Sequence, residues 1–212
     1  DVEAHNNLGI ILQDLGRLDE ATLIYHKTIA LRPDYPEAHY NLGNTLYGLG
    51  RLEEAEKSFN TAIKLKPDYP DAYYNLAISL RSLGKLNQAE TNFKKSIDLD
   101  PYYADAHSYL GIPLQDLGKL NAAETSHKNA ISLKPNVSLY YNNLANTLKE
   151  LGRLEEAETI YLKALELDSS HPELYYNFAV TLKELGSIEA AEKSFARAIE
   201  LKPDYAEAYN NL

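Results

Sequence analysis

Apolar residues recur at helical spacing along the whole chain, and the pattern itself repeats. One stretch shows it clearly, where a first apolar stripe consists of Ala38, Leu42, Leu46 and Leu49. A second stripe follows and consists of Leu52, Ala55, Phe59, Ala62, Ile63 and Leu65. Spacings of three and four residues are typical of one buried face of an α-helix. Neither helix can bury its stripe alone, so the pattern predicts a pair of helices packed against each other and against neighbouring pairs.

Helix-start and helix-end signals frame both stripes. Pro36 suits a first helical position, and Glu37 is favourable near the positive end of the helix dipole. Gly50 separates the stripes and suits the left-handed conformation of a helix end. Residues 67–69, Pro-Asp-Tyr, break the chain after the second stripe. We call the first helix of such a pair helix A and the second helix B.

This 34-residue pattern occurs six times without a gap. The repeats are 2–35, 36–69, 70–103, 104–137, 138–171 and 172–205, and residues 206–212 begin a seventh. Glycine stands at the fifteenth position of every repeat, at Gly16, Gly50, Gly84, Gly118, Gly152 and Gly186. A fixed period of this length indicates an array of stacked units. We therefore predict an all-α solenoid and a single array over residues 1–212.

The second repeat resembles the tetratricopeptide repeat (TPR) family. The resemblance is carried by His39, Leu42-Gly43, Leu46, Ala55, Phe59, Ala62 and Pro67. It implies antiparallel helix pairs stacked into a right-handed superhelix, with helix A on the concave surface and helix B on the convex one. In this family the concave groove commonly holds a peptide or an extended segment of a partner protein, lined by helix A positions two, five, six, nine, twelve and thirteen.

Asparagine dominates the sixth position of helix A. The residues there are Asn7, Asn41, Asn75, Tyr109, Asn143, Asn177 and Asn211. A carboxamide both donates and accepts hydrogen bonds, so a ladder of them matches the peptide groups of a bound strand. Helices about 8–10 Å apart would place one rung at roughly every third residue of an extended chain. The alternative is that these residues make hydrogen bonds between neighbouring helices; the two interpretations are compatible and both stay open.

Other groove positions vary. Tyr40, Tyr74 and Tyr176 at position five either stack on a ligand or cover a rim, and we favour the rim. Asn44 and Asn146 belong to position nine, within a mixed apolar strip. Co-chaperone members of the family clamp a C-terminal carboxylate with Lys at positions five and thirteen. No repeat has Lys at either position, which argues against that use of the groove.

The asparagine row has a narrower resemblance. Together with the runs Leu-Ala-Asn-Thr-Leu and Leu-Lys-Glu-Leu-Gly in the fifth repeat, it looks like the repeat region of O-linked N-acetylglucosamine transferases and related bacterial proteins. In that family such a row contacts the backbone of substrate proteins. Tyr109 interrupts the row here.

The fourth repeat departs from the others in three places. Pro113 lies in the middle of its helix A, Tyr109 replaces Asn, and His127 replaces the Tyr or Phe of the other repeats. Proline inside a helix removes a hydrogen bond and clashes with the preceding turn. We therefore expect a bend near Gly111–Pro113.

Composition narrows the class of partner. The net charge is −10 with a pI near 5.1, which argues against nucleic acid and against anionic membrane surfaces. There is no Cys, and no apolar run is long enough to span a membrane. No signal peptide is visible and the chain stops within a helical pattern, so we expect a piece of a longer protein, whose targeting signals the missing signal peptide does not decide. The absence of Cys is consistent with a reducing compartment, and a cytoplasmic location is our expectation.

No catalytic pattern is found. His5, His39 and His107 recur because the repeat recurs, and no zinc, phosphate-loop, dinucleotide or nucleophile-elbow motif occurs. We expect no cofactor, no metal and no enzyme activity within these residues. The main expectation is binding of protein or peptide in the groove. The alternatives are a substrate-targeting arm of a larger enzyme, such as a glycosyltransferase, and a scaffold that self-associates end to end through an unsealed apolar stacking face.

Overall fold

The computed structural model describes residues 1–212, and all of its regular secondary structure is α-helical. The helices are α1 Val2–Asp14, α2 Leu18–Leu31, α3 Pro36–Gly48, α4 Leu52–Leu65, α5 Pro70–Ser82, α6 Leu86–Leu99, α7 Ala104–Asp116, α8 Leu120–Leu133, α9 Ser138–Glu150, α10 Leu154–Leu167, α11 Pro172–Glu184, α12 Ile188–Leu201 and α13 Ala206–Asn211. None of them combines the length and apolar character that a membrane span requires.

Each repeat forms one antiparallel helix pair. Odd-numbered helices are helix A and even-numbered helices are helix B, joined by turns of three residues that force the chain to reverse. α3 packs along α4, α4 contacts α5, and α3 contacts both α1 and α5. Neighbouring helices A therefore pack side by side within each half of the chain, as the predicted all-α array of stacked pairs requires.

The chain forms two compact units, residues 1–106 and residues 107–212. The boundary falls inside α7. The first unit contains α1 to α6, and the second contains α8 to α13. Each is built from the same repeated helix pair.

Glycine ends every complete helix A in the same way. Gly50 has φ of +74°, and the equivalent glycines of the other five repeats lie between +71° and +79°. The Gly50 N–H donates to the Tyr47 carbonyl at 2.9 Å, and the Arg51 N–H donates to the Leu46 carbonyl at 2.9 Å. This pair of bonds is the Schellman motif, and it satisfies carbonyls that the helix end would leave free. The predicted role of the fifteenth residue is confirmed.

Each repeat contributes its own layer of buried side chains to the core. Phe59 from helix B is fully buried and lies against Gly43 of helix A, where an added Cβ atom would be 2.6 Å from the ring. Leu42 and Leu46 pack beside it, with exposures of 4% and 2%. The small residue at position eight lets the aromatic side chain fill the space between the two helices. This contact fixes how far helix A stands from helix B.

The fourth repeat keeps its helix. α7 runs without interruption from Ala104 through Pro113 to Asp116, so proline does not end it, and the bend stays a prediction. His127 is fully buried against Gly111, and neither of its ring nitrogens has a hydrogen-bond partner. Burial lowers the pKa of His127 to about 4. The imidazole therefore occupies an aromatic core position as a neutral group.

Candidate binding face

The candidate site is the surface that helices A present on the side away from helices B. We call it the helix A face and define it by positions five, six, nine and twelve of each repeat. On it, the asparagines at position six are half-buried, apart from Asn7, which is exposed on α1. The residues predicted to form the ladder thus lie in register along each compact unit.

Each later asparagine donates a hydrogen bond to the position-five side chain of the preceding repeat, 35 residues earlier. The Nδ2 atoms donate to Asn6 Oδ1 (from Asn41, 3.1 Å), Tyr40 Oη (Asn75, 2.9 Å), Ser108 Oγ (Asn143, 3.3 Å), Asn142 Oδ1 (Asn177, 3.2 Å) and Tyr176 Oη (Asn211, 3.4 Å). The inter-helix role considered from the sequence is therefore present. It holds each carboxamide in a defined orientation.

Those bonds use only part of each carboxamide. Asn has two N–H donors and an oxygen with two lone pairs. Asn41 and Asn177 each donate one bond to the preceding repeat. Asn75 uses both donors, on Tyr40 and on Asn44 Oδ1 at 3.0 Å. Hydrogen-bonding capacity for a ligand thus remains in the row, chiefly at the oxygens.

The tyrosines at position five pack against the protein's own aromatic side chains. The Tyr40 ring lies 6.0 Å from Phe59 and 4.9 Å from Tyr69, centre to centre. Tyr74 and Tyr176 make the same contacts, with Phe93, Tyr103, Phe195 and Tyr205. Burial raises the pKa of Tyr40, so its hydroxyl stays protonated. Sequence reasoning missed the second member of each pair, although Tyr at the 34th position of four repeats was a visible signal.

A cavity of about 280 Å³ opens on the helix A face between α3 and α5. It is lined by Asn44, Tyr47, Phe59, Asn75 and Ile78. Two predicted site residues, Asn44 and Asn75, meet there and are joined by the hydrogen bond described above. Two hydrogen-bonded carboxamides therefore border this cavity beside the buried Phe59 ring.

The equivalent place between α9 and α11 is arranged differently. Tyr161 replaces Phe59, and its hydroxyl donates to Asn146 Oδ1. Burial raises the pKa of Tyr161, which keeps this donor protonated. Asn146 is thus engaged by the core below it, whereas Asn44 is engaged by its neighbour on the face.

A second cavity, of about 310 Å³, lies at the start of α9 and α11. It is lined by Ser138, Leu139, Asn142, His171, Glu173 and Leu174. None of these residues was named as a candidate site residue, although Leu139, Asn142 and Glu173 hold positions two and five, which the family resemblance assigns to the groove. Leu139 was the available signal, because position two is acidic in the five other complete repeats.

Charged residues at the starts of helices B are paired locally. Arg51 makes a two-pronged contact with Glu54 at 2.7 Å, and Arg17 and Arg153 do the same with Glu20 and Glu156. These pairs raise the pKa of the arginines and lower that of the glutamates, chiefly through the shared hydrogen bonds. No group of three or more His, Asp or Glu side chains is placed to hold a metal ion.

Family models match much of the chain. A model described as TPR repeat matches residues 11–50 and 43–80, and tetratricopeptide repeat models match residues 70–103 and 136–204. No curated protein sequence matches.

Among solved structures, TTC0263, a thermophilic TPR protein of Thermus thermophilus, is 30% identical, with 86% of this chain and 99% of that chain covered and a TM-score of 0.67. PilW, a type IV pilus biogenesis factor, is 20% identical, with 99% and 96% covered and a TM-score of 0.89. YrrB, described as a TPR protein with an unusual peptide-binding site, is 24% identical, with 88% and 96% covered and a TM-score of 0.67.

Proposed function

The chain belongs to the tetratricopeptide repeat family, and from that membership we propose that its helix A face binds an extended peptide or an extended segment of a partner protein, partly through the asparagine row. TPR proteins are protein-interaction modules, and the structurally similar YrrB has a peptide-binding site. The proposed mechanism is rigid presentation of carboxamides to the partner's backbone.

The observation that supports this proposal is the fixed orientation of the row. The bond from each Asn to the preceding repeat restrains a side chain that would otherwise lose rotamer freedom on binding. A restrained carboxamide offers its remaining lone pairs to backbone N–H groups at little further entropic cost. Such contacts read the backbone and give broad specificity.

The test replaces Asn41, Asn75, Asn143 and Asn177 together by Ala. Binding is measured by fluorescence anisotropy with labelled, unstructured peptides of randomised sequence. The peptides are about twelve residues long, which is about twice the number of residues that would span three asparagines of the row. We expect binding to weaken by at least about tenfold. Unchanged binding by a folded variant would leave the row with a purely structural role.

A matched control is needed because the Ala variant also removes bonds between repeats. Thr45 and Thr147 supply it, since both are fully buried and their hydroxyls lie 3.0 and 3.1 Å from Oε1 of Gln13 and Gln115 in the preceding repeat. Their replacement by Val removes inter-repeat hydrogen bonds while every asparagine of the row stays in place. The control should bind peptides as the parent does, with circular dichroism showing an unchanged helix content.

Self-association is a second proposal, supported by the outer face of α1. Leu8, Ile11 and Leu15 are 42%, 55% and 65% exposed, whereas Leu42 and Thr45, which correspond to Leu8 and Ile11, are 4% and 0% exposed. A second copy of this chain would bury that apolar face. Sedimentation equilibrium should show dimers that the substitutions Leu8→Gln and Ile11→Thr remove. A strict monomer at high concentration would contradict the proposal.

The narrower resemblance to the repeats of O-linked N-acetylglucosamine transferases supports a further proposal for the role of the same groove. In it, the array is a non-catalytic arm that holds protein substrates for a larger enzyme. The sequence of any domain encoded together with residues 1–212 is the test. A glycosyltransferase domain would support it, and an unrelated domain would contradict it.

A further inference from the structure

Three junctions between repeats are filled by a pair of tyrosines from the chain itself. A position-five Tyr stacks on the Tyr that ends the same repeat, with ring centres 4.9 to 5.2 Å apart. The pairs are Tyr40 with Tyr69, Tyr74 with Tyr103, and Tyr176 with Tyr205. In the first pair, Asn75 of the next repeat donates to the Tyr40 hydroxyl. Such a ring pair occurs in the second, third and sixth repeats, whereas the first, fourth and fifth repeats lack it.

The junction between the fifth and sixth repeats lacks this pair. Its two positions hold Asn142 and His171, whose side chains are smaller than tyrosine. The cavity of about 310 Å³ lies at this place, bordered by both residues. Asn142 Oδ1 still accepts the bond from Asn177, so the hydrogen bond between the repeats is kept while the ring is absent. The cavity is thus the space that a ring occupies elsewhere in the same fold.

The walls of this cavity are more apolar than the repeat pattern requires. Leu139 stands where the second and third repeats have Glu37 and Asp71, and Leu174 stands where Ala is the usual residue. Leu174 is 3% exposed and forms the floor, whereas Leu139 is 45% exposed and forms a wall open to the outside. An apolar group that fills the cavity and covers the exposed leucine would bind favourably, because both surfaces are removed from water.

Polar groups stand at the edge of the cavity. Asn142 Nδ2 has only a long 3.5 Å contact, with Asn143 Oδ1, so it remains a donor for an incoming group. His171 Nε2 is 3.0 Å from Asp168 Oδ2, which holds the imidazole in place. Glu173 is 3.9 Å from Lys202, which offsets its charge. Apolar walls with a few oriented polar groups, at a volume near the lower end of roughly 300–1,000 Å³, are typical of a specificity pocket.

We propose that this cavity binds an aromatic side chain, a tyrosine or phenylalanine, from a partner segment that lies on the helix A face. The incoming ring takes the place of the missing pair, between Leu139 and Leu174 and against the imidazole of His171. The proposal rests on the proposed function, and it adds sequence selectivity to backbone contacts that are themselves unselective.

The first experiment uses p-cresol, the side-chain analogue of tyrosine, and therefore does not depend on peptide binding. Methyl NMR of protein labelled at leucine should show shifts at Leu139 and Leu174 as p-cresol is added, with no shifts at Leu42 and Leu46 in the second repeat. Absence of shifts at the two cavity leucines would overturn the proposal.

The chain's own repeats supply the blocking variant. Asn142→Tyr together with His171→Tyr recreates the pair found in the second repeat, and the hydroxyl introduced at position 142 would accept the Asn177 bond as Tyr40 accepts that of Asn75. We expect the p-cresol shifts to disappear. Leu139→Glu is a second variant, which restores the acidic residue of other repeats and should abolish the shift at Leu174, the remaining cavity leucine. Shifts that persist in both folded variants would overturn the proposal.

Peptides separate this inference from the proposed function. Matched peptides that carry Tyr, Leu or Ala at one central position are compared on the parent protein. We expect the Tyr peptide to bind about tenfold more tightly than the Ala peptide and more tightly than the Leu peptide. The blocking variant should bind all three as the parent binds the Ala peptide. No binding by any peptide would reject the proposed function, whereas binding without a preference for Tyr would reject only the aromatic pocket.

Discussion

The junction between the second and third repeats has the same order of helices as the junction between the fifth and sixth repeats. The two junctions differ in where they leave a cavity. At the first, Tyr40 and Tyr69 close the start of the helices, and a cavity opens on the helix A face beside Asn44. At the second, Asn142 and His171 leave the start of the helices open. There, the Tyr161 hydroxyl reaches Asn146 from below.

The difference shows that the repeat backbone does not decide where this array has room for a ligand. Both junctions have a small residue at position eight, glycine at position fifteen and leucine at position eleven of their helices A. Side chains at positions five, 24 and 34 then decide which space stays open. Substitution at these three positions redistributes binding pockets without changing the fold.

The largest expected effect comes from converting the first junction into the second. Tyr40→Asn with Tyr69→His removes two half-buried rings and their stacking contact, and we expect a loss of about 2–4 kcal/mol in the free energy of unfolding. The carboxamide introduced at position 40 would still accept the bond from Asn75, as Asn142 does from Asn177. Urea denaturation measures the loss. The reverse change, Asn142→Tyr with His171→Tyr, should stabilise, and a loss there would contradict this account of the two junctions.

The next effect extends the comparison at position 24 to the fourth repeat. Its His127 has a pKa of about 4 in the folded protein, against 6.5 in the unfolded chain. The unfolded state therefore binds more protons between these values, so the free energy of unfolding should fall as the pH drops from about 6.5 to 4, by up to about 3 kcal/mol.

Two substitutions at the same core position isolate this imidazole. His127→Phe copies Phe59 and should flatten the pH dependence in this window while raising stability at neutral pH. Phe93→His should create the same dependence in the third repeat. Chemical denaturation at a series of pH values tests both. A pH profile that His127→Phe leaves unchanged would show that other groups control it.

The smallest effect concerns one hydroxyl. Tyr161→Phe makes the fifth repeat like the second and removes the bond to Asn146, at a cost of about 1 kcal/mol. Asn146 should then turn toward Asn177, as Asn44 meets Asn75. A crystal structure of the variant would show whether a cavity appears beside Asn146. Phe59→Tyr is the reciprocal change, and it should fill the existing cavity.

Much of the architecture could be predicted from single residues. Pro36 begins a helix A, and Gly50 takes the positive φ that the pattern indicated. Phe59 and Gly43 meet because one is large and the other small at facing positions. These features are local, or they repeat every 34 residues, so the sequence displays them directly. The period also put the asparagines at the same position of successive helices A, and the family resemblance assigned that position to the groove.

Only the tertiary structure decided what each face residue contacts. Asn75 and Tyr40 are 35 residues apart, and their hydrogen bond exists because neighbouring helices A pack side by side. The cavity at Leu139 depends on side chains from two helices and the turn between repeats, so no single position announces it. Periodicity in a sequence specifies backbone and spacing, because these follow from local conformation and from which face is apolar. Space for a ligand is what remains after side chains from several repeats have been packed together, and only the packed structure reveals it.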